Sequence, residues 1–259
     1  DESASDEASR GAMPRAMKPP ATLSAPARSG PPATEELRTL TMADGTLNAL
    51  KWGALVLMIL DHANKWLWHG QVTWVFALGR LVAPTFFFIL AYNLSRPGDA
   101  KGRLQRTAMR LAAAAAVASV PFAALNGSWW PGNVLWLLLA GVLVLMGWRA
   151  GTWWGRAFAL LAFVVGGAWG EYFWPGLLTF LAAFGYCRRP TASRLALLAL
   201  ATATLTPVNG GWWAMASIPV ILGAAQLRVT APRGQWVFYV AYPGHLACLW
   251  AVLNAGTAS

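Results

Sequence analysis

Long apolar segments alternate with short polar connections along this chain from about residue 47 onward. Several of the segments are shorter than the roughly 20 residues that a straight membrane span needs. No sequence period of about 20–50 residues repeats, which excludes a solenoid. The pattern therefore predicts an all-α protein, a polytopic transmembrane helical bundle of about nine spans. The predicted spans are 47–68, 72–95, 107–125, 133–148, 154–170, 172–187, 193–208, 211–227 and 235–253.

The first 44 residues differ from the rest, because Ala, Ser, Pro and charged residues dominate them and no apolar run occurs. Such a segment cannot bury enough apolar surface to fold. We therefore expect a disordered tail over 1–44 and a transmembrane domain over 45–259. Because the chain begins with Asp1, we also expect the sequence to be a fragment or a processed product.

The charged residues indicate how the bundle is oriented. Seven of the ten carboxylates lie in residues 1–44, which leaves only Asp61, Asp99 and Glu171 for the remainder. Alternate connections are rich in Lys and Arg, and the connections between them are rich in Trp and Gly. Because excess Lys and Arg marks cytoplasmic loops, the pattern predicts a cytoplasmic N-terminus in a bacterial inner membrane, without nucleic acid as a partner. The basic connections contain Arg96, Lys101, Arg103, Arg106, Arg110, Arg149, Arg156, Arg188, Arg189, Arg194, Arg228 and Arg233.

The stretch LVLMILDHANKWLW, residues 55–68, places Asp61 and His62 roughly 20 Å along the first predicted span. A charged residue at this depth costs a few kcal/mol and must face a partner or a watery cavity. The alternative is an ordinary core histidine beside an Asp61–Lys65 bridge. Two adjacent ionisable groups inside a span favour a functional site over that alternative.

Lys51 precedes His62 by eleven residues. Eleven residues advance a helix by about 1,100°, so the two side chains share one face and lie roughly 16 Å apart along the axis. The spacing therefore predicts a path that leads from a cation near the cytoplasmic entrance to an imidazole deeper in the membrane.

Arg80 lies in the second predicted span, WVFALGRLVAPTFFFILAYN, at a depth similar to that of Asp61. Asp61 is the only carboxylate, and Arg80 the only arginine, well inside a predicted span. A buried guanidinium without a partner is very costly. We therefore predict that Asp61 and Arg80 form an ion pair.

The segment SRPGDAKGRLQRTAMR puts Arg103, Arg106 and Arg110 on one face at the start of the third span. Three guanidinium groups on one face match clustered phosphates. Simple topogenic charge explains the same residues equally well, so the spacing leaves both interpretations open.

Three further features of the sequence provide weaker evidence about a functional site. His245 follows the Pro243-Gly break in the last span, where a site residue and a core histidine are equally good interpretations. Glu171 is the only carboxylate in an outer connection and would attract a cationic group, to which we give little weight. Cys187 and Cys248 form neither a disulfide framework nor a metal constellation, so no metal site is predicted.

Three stretches, LDHANKWLWHGQ, FALGRLVAPTFFFILAYNLSRPG and FYVAYPGHL, resemble the TraX proteins of conjugative plasmids, and the resemblance runs from about residue 46 to 253. TraX proteins are similar to the broader acyltransferase-3-type transmembrane acyltransferases. Those share a Lys or Arg, ten residues and a His in the first span, and an Arg-x-x-Arg at the start of the third. Here the first pattern falls on Lys51 and His62, and the second on Arg103 and Arg106.

The resemblance implies an integral membrane N-acetyltransferase that uses acetyl-CoA as co-substrate. It would act on an amine at the outer side of the membrane, either the N-terminus of a conjugative pilin or another small membrane or extracytoplasmic acceptor. Arg103, Arg106 and Arg110 would bind the CoA phosphates, and Lys51 would line the route to the thioester. His62 would serve as general base, with Asp61 and Arg80 supporting the site. A transporter or proton relay built on the same charges is the main alternative, and a noncatalytic membrane subunit of a conjugation apparatus is another.

Overall fold

The structure is a computed structural model that describes the backbone of residues 41–234 and 236–257. Residues 1–40 of the predicted disordered tail therefore lie outside the described residues. Of its last four residues, Met42 is buried and donates its backbone N–H to the Tyr92 hydroxyl at 2.9 Å. Asp44 is already the first residue of a helix.

The described residues form helices and no strand, which confirms the all-α class. One isolated bridge joins Gly132 and Gly170. A short 3₁₀ helix covers Trp212–Ala216. The α-helices are α1 (Asp44–Trp66), α2 (Thr73–Gly79), α3 (Val82–Ser95), α4 (Ala100–Asn126), α5 (Val134–Arg149), α6 (Trp153–Trp169), α7 (Phe173–Arg188), α8 (Ala192–Ala203), α9 (Thr206–Asn209), α10 (Ser217–Ala225) and α11 (Val237–Thr257).

Three helical segments of the described chain are long and apolar enough to cross a membrane, namely Thr73–Ser95, Ala100–Asn126 and Val237–Ala255. Four shorter apolar helices accompany them, at Val134–Arg149, Trp153–Trp169, Ala192–Ala203 and Trp212–Ala225. The chain is thus a helical membrane protein. The nine-span arrangement and the cytoplasmic N-terminus stay predictions.

The helix boundaries depart from the predicted spans where polar residues act locally. Helix α4 begins at Ala100, seven residues before the predicted 107–125 span, because the Asp99 side chain accepts a hydrogen bond from the Gly102 N–H and caps the helix. The predicted span 72–95 is interrupted between α2 and α3, and Arg80 lies in the interruption. Mean hydropathy alone does not reveal that break, because apolar residues flank Arg80 on both sides.

Two groups of buried side chains hold the bundle together. The larger joins α3, α5 and α7 through Phe87, Leu137 and Phe180, none of which is exposed. Gly141 allows the Phe180 ring to approach α5, since a Cβ at Gly141 would overlap the ring. The smaller group joins α1, α3, α4 and α11, and its members include Met58. Residues of both groups line a cavity.

Candidate functional site

A cavity of about 630 Å³ extends between α1, α3, α4 and α11. Helix α1 contributes a stripe of lining residues at intervals of three and four, as expected for one helix face. Lys51 and His62 both belong to this stripe, as their spacing predicts. The predicted site residues that line the cavity are Lys51, Asp61, His62, Arg103, Arg106, Arg110 and Glu171.

Two predicted residues, Arg80 and His245, do not line the cavity and lie behind residues that do. Arg80 Nη2 donates to both oxygens of Asp61, at 2.8 and 2.6 Å, so the predicted ion pair is confirmed. Both side chains are largely buried, at 17% and 13% exposure. Gly79 permits the approach, because a Cβ there would collide with the Asp61 carboxylate. Asp61 is therefore neutralised within the protein.

His62 contacts His245 across the interface between α1 and α11. The His62 Nδ1 and His245 Nε2 atoms are 2.6 Å apart, and the rings are nearly parallel. The other His245 nitrogen, Nδ1, lies 2.8 Å from the Ala241 carbonyl oxygen. A carbonyl oxygen only accepts, so a neutral His245 carries its hydrogen on Nδ1 and its Nε2 accepts from His62 Nδ1–H. This arrangement leaves the lone pair of His62 Nε2 free to act as a base.

Tyr242 lines the cavity next to this histidine pair and was not singled out from the sequence. Its ring lies 5.6 Å from that of His245, and the residue is only 4% exposed. Its hydroxyl approaches the Val134 backbone N–H but makes no hydrogen bond of normal geometry within the described residues. The Tyr242 hydroxyl is therefore a buried polar group that no described residue satisfies. The available sequence signal was its position three residues before His245 on the same helix.

Glu171 reaches the same cavity from the turn between α6 and α7. The backbone of this turn is fixed, because the Gly132 N–H donates to the Trp169 carbonyl at 2.7 Å and the Glu171 N–H donates to the Gly132 carbonyl at 2.8 Å. Burial raises the pKa of the Glu171 carboxyl above its usual range. The sequence provides little support for Glu171 as a site residue, because an outer connection does not reveal that its side chain turns inward.

The opposite end of the cavity is strongly cationic. Asp44 is the one carboxylate among the residues that line this end of the cavity. It accepts hydrogen bonds from Arg96 at 2.5 Å and from Arg233 at 3.2 Å. The hydrogen bond from Arg96 lowers the pKa of the Asp44 carboxyl. Arg96 and Arg233 were counted as topogenic charge and not predicted as site residues. We call this region the basic end, and its cations are Lys51, Arg96, Arg103, Arg106, Arg110 and Arg233.

The three predicted arginines of the basic end are engaged differently. Arg103 donates to the carbonyl oxygens of residues 93, 96 and 97, each at 2.8 Å, and so caps the end of α3. Arg106 has only a long contact of 3.5 Å with Asp99. Arg110 stacks on the Trp236 ring at 4.9 Å. Arg106 and Arg110 therefore retain more donors for an anionic ligand than Arg103 does.

We call the other region the histidine end, defined by Asp61, His62, Glu171 and Tyr242. It holds a basic imidazole nitrogen, a hydroxyl donor and a carboxylate within one cavity. No group of three or more His, Cys, Asp or Glu that could hold a metal ion occurs among the residues with a described position. The cavity as a whole can bind a polyanion at one end and perform proton transfer at the other.

Comparison with known proteins identifies relatives of this chain. The family model described as "TraX protein" matches residues 46–253. Protein TraX of Escherichia coli is 30% identical over 176 residues, which cover 66% of this chain and 68% of the relative. Protein TraX of Escherichia coli strain K12 matches with the same identity and coverage. No solved structure matches the chain significantly. The extent of the family match shows that the chain belongs to the TraX family.

Proposed function

We propose that this protein is a multi-pass acetyltransferase of the bacterial inner membrane. It transfers acetyl from cytoplasmic acetyl-CoA to an amine at the outer side, and the acceptor is the N-terminus of a conjugative pilin. The observation that carries the proposal is one cavity that joins the basic end to His62, whose Nε2 is free to accept a proton. Membership of the TraX family supports the conjugation-associated role.

The basic end suits the phosphates of CoA. Guanidinium groups form short, charge-assisted hydrogen bonds with phosphate oxygens. Arg106 and Arg110 would supply most of these bonds, while Arg103 would add its remaining donors as it continues to cap α3. Lys51 lies farther along α1 toward His62 and would contact the arm that connects the phosphates to the thioester.

The histidine end suits the acyl transfer itself. The amine nitrogen attacks the thioester carbonyl carbon while His62 Nε2 accepts a proton from that nitrogen. The C–N bond forms, the C–S bond breaks, and the leaving thiolate takes the proton back from His62. His245 holds the hydrogen of His62 on Nδ1, so that Nε2 stays the basic nitrogen.

Three other side chains support this step. The Tyr242 hydroxyl would donate a hydrogen bond to the oxygen that becomes negative as the amine attacks, where a preorganised donor lowers the barrier most. The Asp61–Arg80 pair would fix the cavity wall beside His62 without adding net charge.

One observation also favours the alternative function, a proton relay. The short contact between two buried histidines is the kind of step along which protons move in membrane transporters. A relay, however, has no use for six cations at one mouth of the cavity. The two functions differ in whether the protein consumes acetyl-CoA.

The decisive experiment uses purified protein in lipid nanodiscs. Thiol release from acetyl-CoA is followed together with mass-spectrometric acetylation of a synthetic pilin N-terminal peptide. We expect both signals from the wild type and a loss of about 10²–10⁴-fold in His62→Ala, as for removal of a positioned base. His69→Ala is the matched control, because His69 is exposed in a turn outside the cavity. Absence of both signals in the folded wild type, or equal activity of His62→Ala, would overturn the proposal.

A further inference from the structure

Glu171 places a carboxyl group on the wall of the cavity, where burial raises its pKa. It takes part in none of the ion pairs formed by the described residues. The charged groups that act on it are Lys65, Arg80 and Asp61. Lys65 and Arg80 favour the ionised carboxylate and Asp61 opposes it, so the engagement of the two cations decides what Glu171 faces.

The two cations near Glu171 are committed elsewhere. Arg80 binds both oxygens of Asp61. Lys65 donates to the Asn126 side-chain oxygen at 3.2 Å and lies over the Trp66 ring at 4.5 Å. Glu171 is thus a buried carboxyl group without an ion-pair partner among the described residues, and a cationic ligand would stabilise its ionised form.

A second, independent observation points into the same space. Tyr242 is almost completely buried among the residues that line the cavity, and its hydroxyl has no hydrogen bond of normal geometry within the described residues. Buried polar atoms usually have partners, so an exception on a residue of the cavity wall points to a ligand nearby. The fixed turn at Glu171 and the packed ring of Tyr242 hold a carboxylate and a hydroxyl on the walls that surround His62.

We propose that Glu171 forms a subsite for a primary ammonium group, with the Tyr242 hydroxyl beside it. This inference rests on the proposed function, because the ammonium is that of the acceptor. The acceptor first releases one proton to water and then attacks as the neutral amine, whose second proton His62 accepts. Glu171 contributes to binding and not to the proton transfer, since a carboxylate stabilises the charged form of the amine. A loss of Glu171 should therefore raise the KM for the amine and leave kcat largely unchanged.

The test measures amine binding directly, without acetyl-CoA, by isothermal titration of the full-length protein in nanodiscs. Glycinamide represents a chain N-terminus, n-butylamine represents a lysine-like amine, and tetramethylammonium is a cation without N–H donors. We expect both primary amines to bind, and Glu171→Gln to weaken that binding about tenfold or more, as for loss of a hydrogen bond to a charged group. Tetramethylammonium should bind weakly to both proteins. The amine that binds more tightly identifies the type of acceptor.

Two further variants keep the result interpretable. Glu171→Asp retains the charge with a shorter reach and should bind more tightly than Glu171→Gln. Asp99→Asn is the matched control, because Asp99 lies outside the cavity, and asparagine also caps helices. Equal amine affinity of the wild type and a folded Glu171→Gln, or no amine binding by the wild type, overturns the subsite. Acetyl transfer by the wild type in that case leaves the proposed function standing, so the two failures are distinguishable.

Discussion

The charged groups at the basic end of the cavity differ in exposure and in pairing from those at the histidine end. At the basic end, cations are numerous and partly solvated, and Arg106 and Arg233 are 58% and 81% exposed. At the histidine end, the charged and polar groups are few and buried, and the Asp61–Arg80 and His62–His245 contacts tie them in pairs. Exposed charges are individually weak and screened by salt, whereas buried pairs are strongly coupled. Single substitutions should therefore have large effects at the histidine end and small ones at the basic end.

The largest effect on folding is expected for Asp61→Ala, which leaves the Arg80 guanidinium buried without a partner. Breaking a buried pair from one side typically costs about 3–5 kcal/mol. Unfolding by sodium dodecyl sulfate in mixed micelles would measure the change. Asp99→Asn, which weakens an exposed pair, should change stability by less than about 1 kcal/mol. Equal stability of Asp61→Ala and Asp99→Asn would contradict the contrast between the two ends.

The charge-swapped double variant sharpens this test. Asp61→Arg together with Arg80→Asp restores opposite charges across α1 and the α2–α3 break. We expect the double variant to be more stable than either single swap, because each single swap juxtaposes like charges. If the double variant is no more stable than both single swaps, the pair contributes through its environment and not through its charges.

The next largest effect concerns His245, which we treat as a positioning residue for His62. His245→Leu removes the acceptor for His62 Nδ1–H and should lower kcat of acetyl transfer by at least about tenfold. His245→Gln places an amide oxygen near the lost Nε2 atom and should restore much of the rate. The pH at half-maximal kcat should shift in His245→Leu and return in His245→Gln. Similar rates and pH profiles for both variants would reduce His245 to a packing residue.

A smaller effect is expected at the basic end. Arg106→Ala should raise the KM for acetyl-CoA several-fold and leave kcat nearly unchanged, because the lost contact is made equally in ground and transition states. Added salt should raise the wild-type KM in the same direction. Arg156→Ala removes a basic residue outside the cavity and serves as the control. A fall in kcat at saturating acetyl-CoA in Arg106→Ala would place this residue in the chemistry instead.

The smallest effect is expected for Lys51→Arg, which keeps a cation on the cavity face of α1. Activity should stay within about twofold of the wild type, since a guanidinium provides the same charge with a similar reach. Moving the lysine to position 52 rotates it by about 100° from that face and should remove the contribution that the charge makes to acetyl-transfer activity. Equal activity of both variants in the pilin-peptide assay would show that the charge matters only for topology.

The sequence predicted those parts of the site that depend on one helix or on a charge balance. The common face of Lys51 and His62 follows from helical geometry, and the Asp61–Arg80 pair follows from the scarcity of charge inside the spans. The His62–His245 contact joins residues 183 positions apart, and only the packing of α11 against α1 brings them together. The inward turn of Glu171 depends likewise on the bridge between Gly132 and Gly170. Neither the His62–His245 contact nor the inward turn of Glu171 produces a periodic pattern in the sequence.

The hydrogen-bond chain that starts at His62 ends on the carbonyl oxygen of Ala241. A backbone carbonyl oxygen accepts a hydrogen bond but does not take up a proton, so this hydrogen-bond chain cannot conduct protons any farther. A proton taken up at His62 Nε2 must leave by the same face, toward the cavity. Turnover should then be indifferent to the membrane potential, because no charge crosses the bilayer through this pair. An enzyme reconstituted in sealed vesicles should accordingly work at the same rate with or without an ionophore.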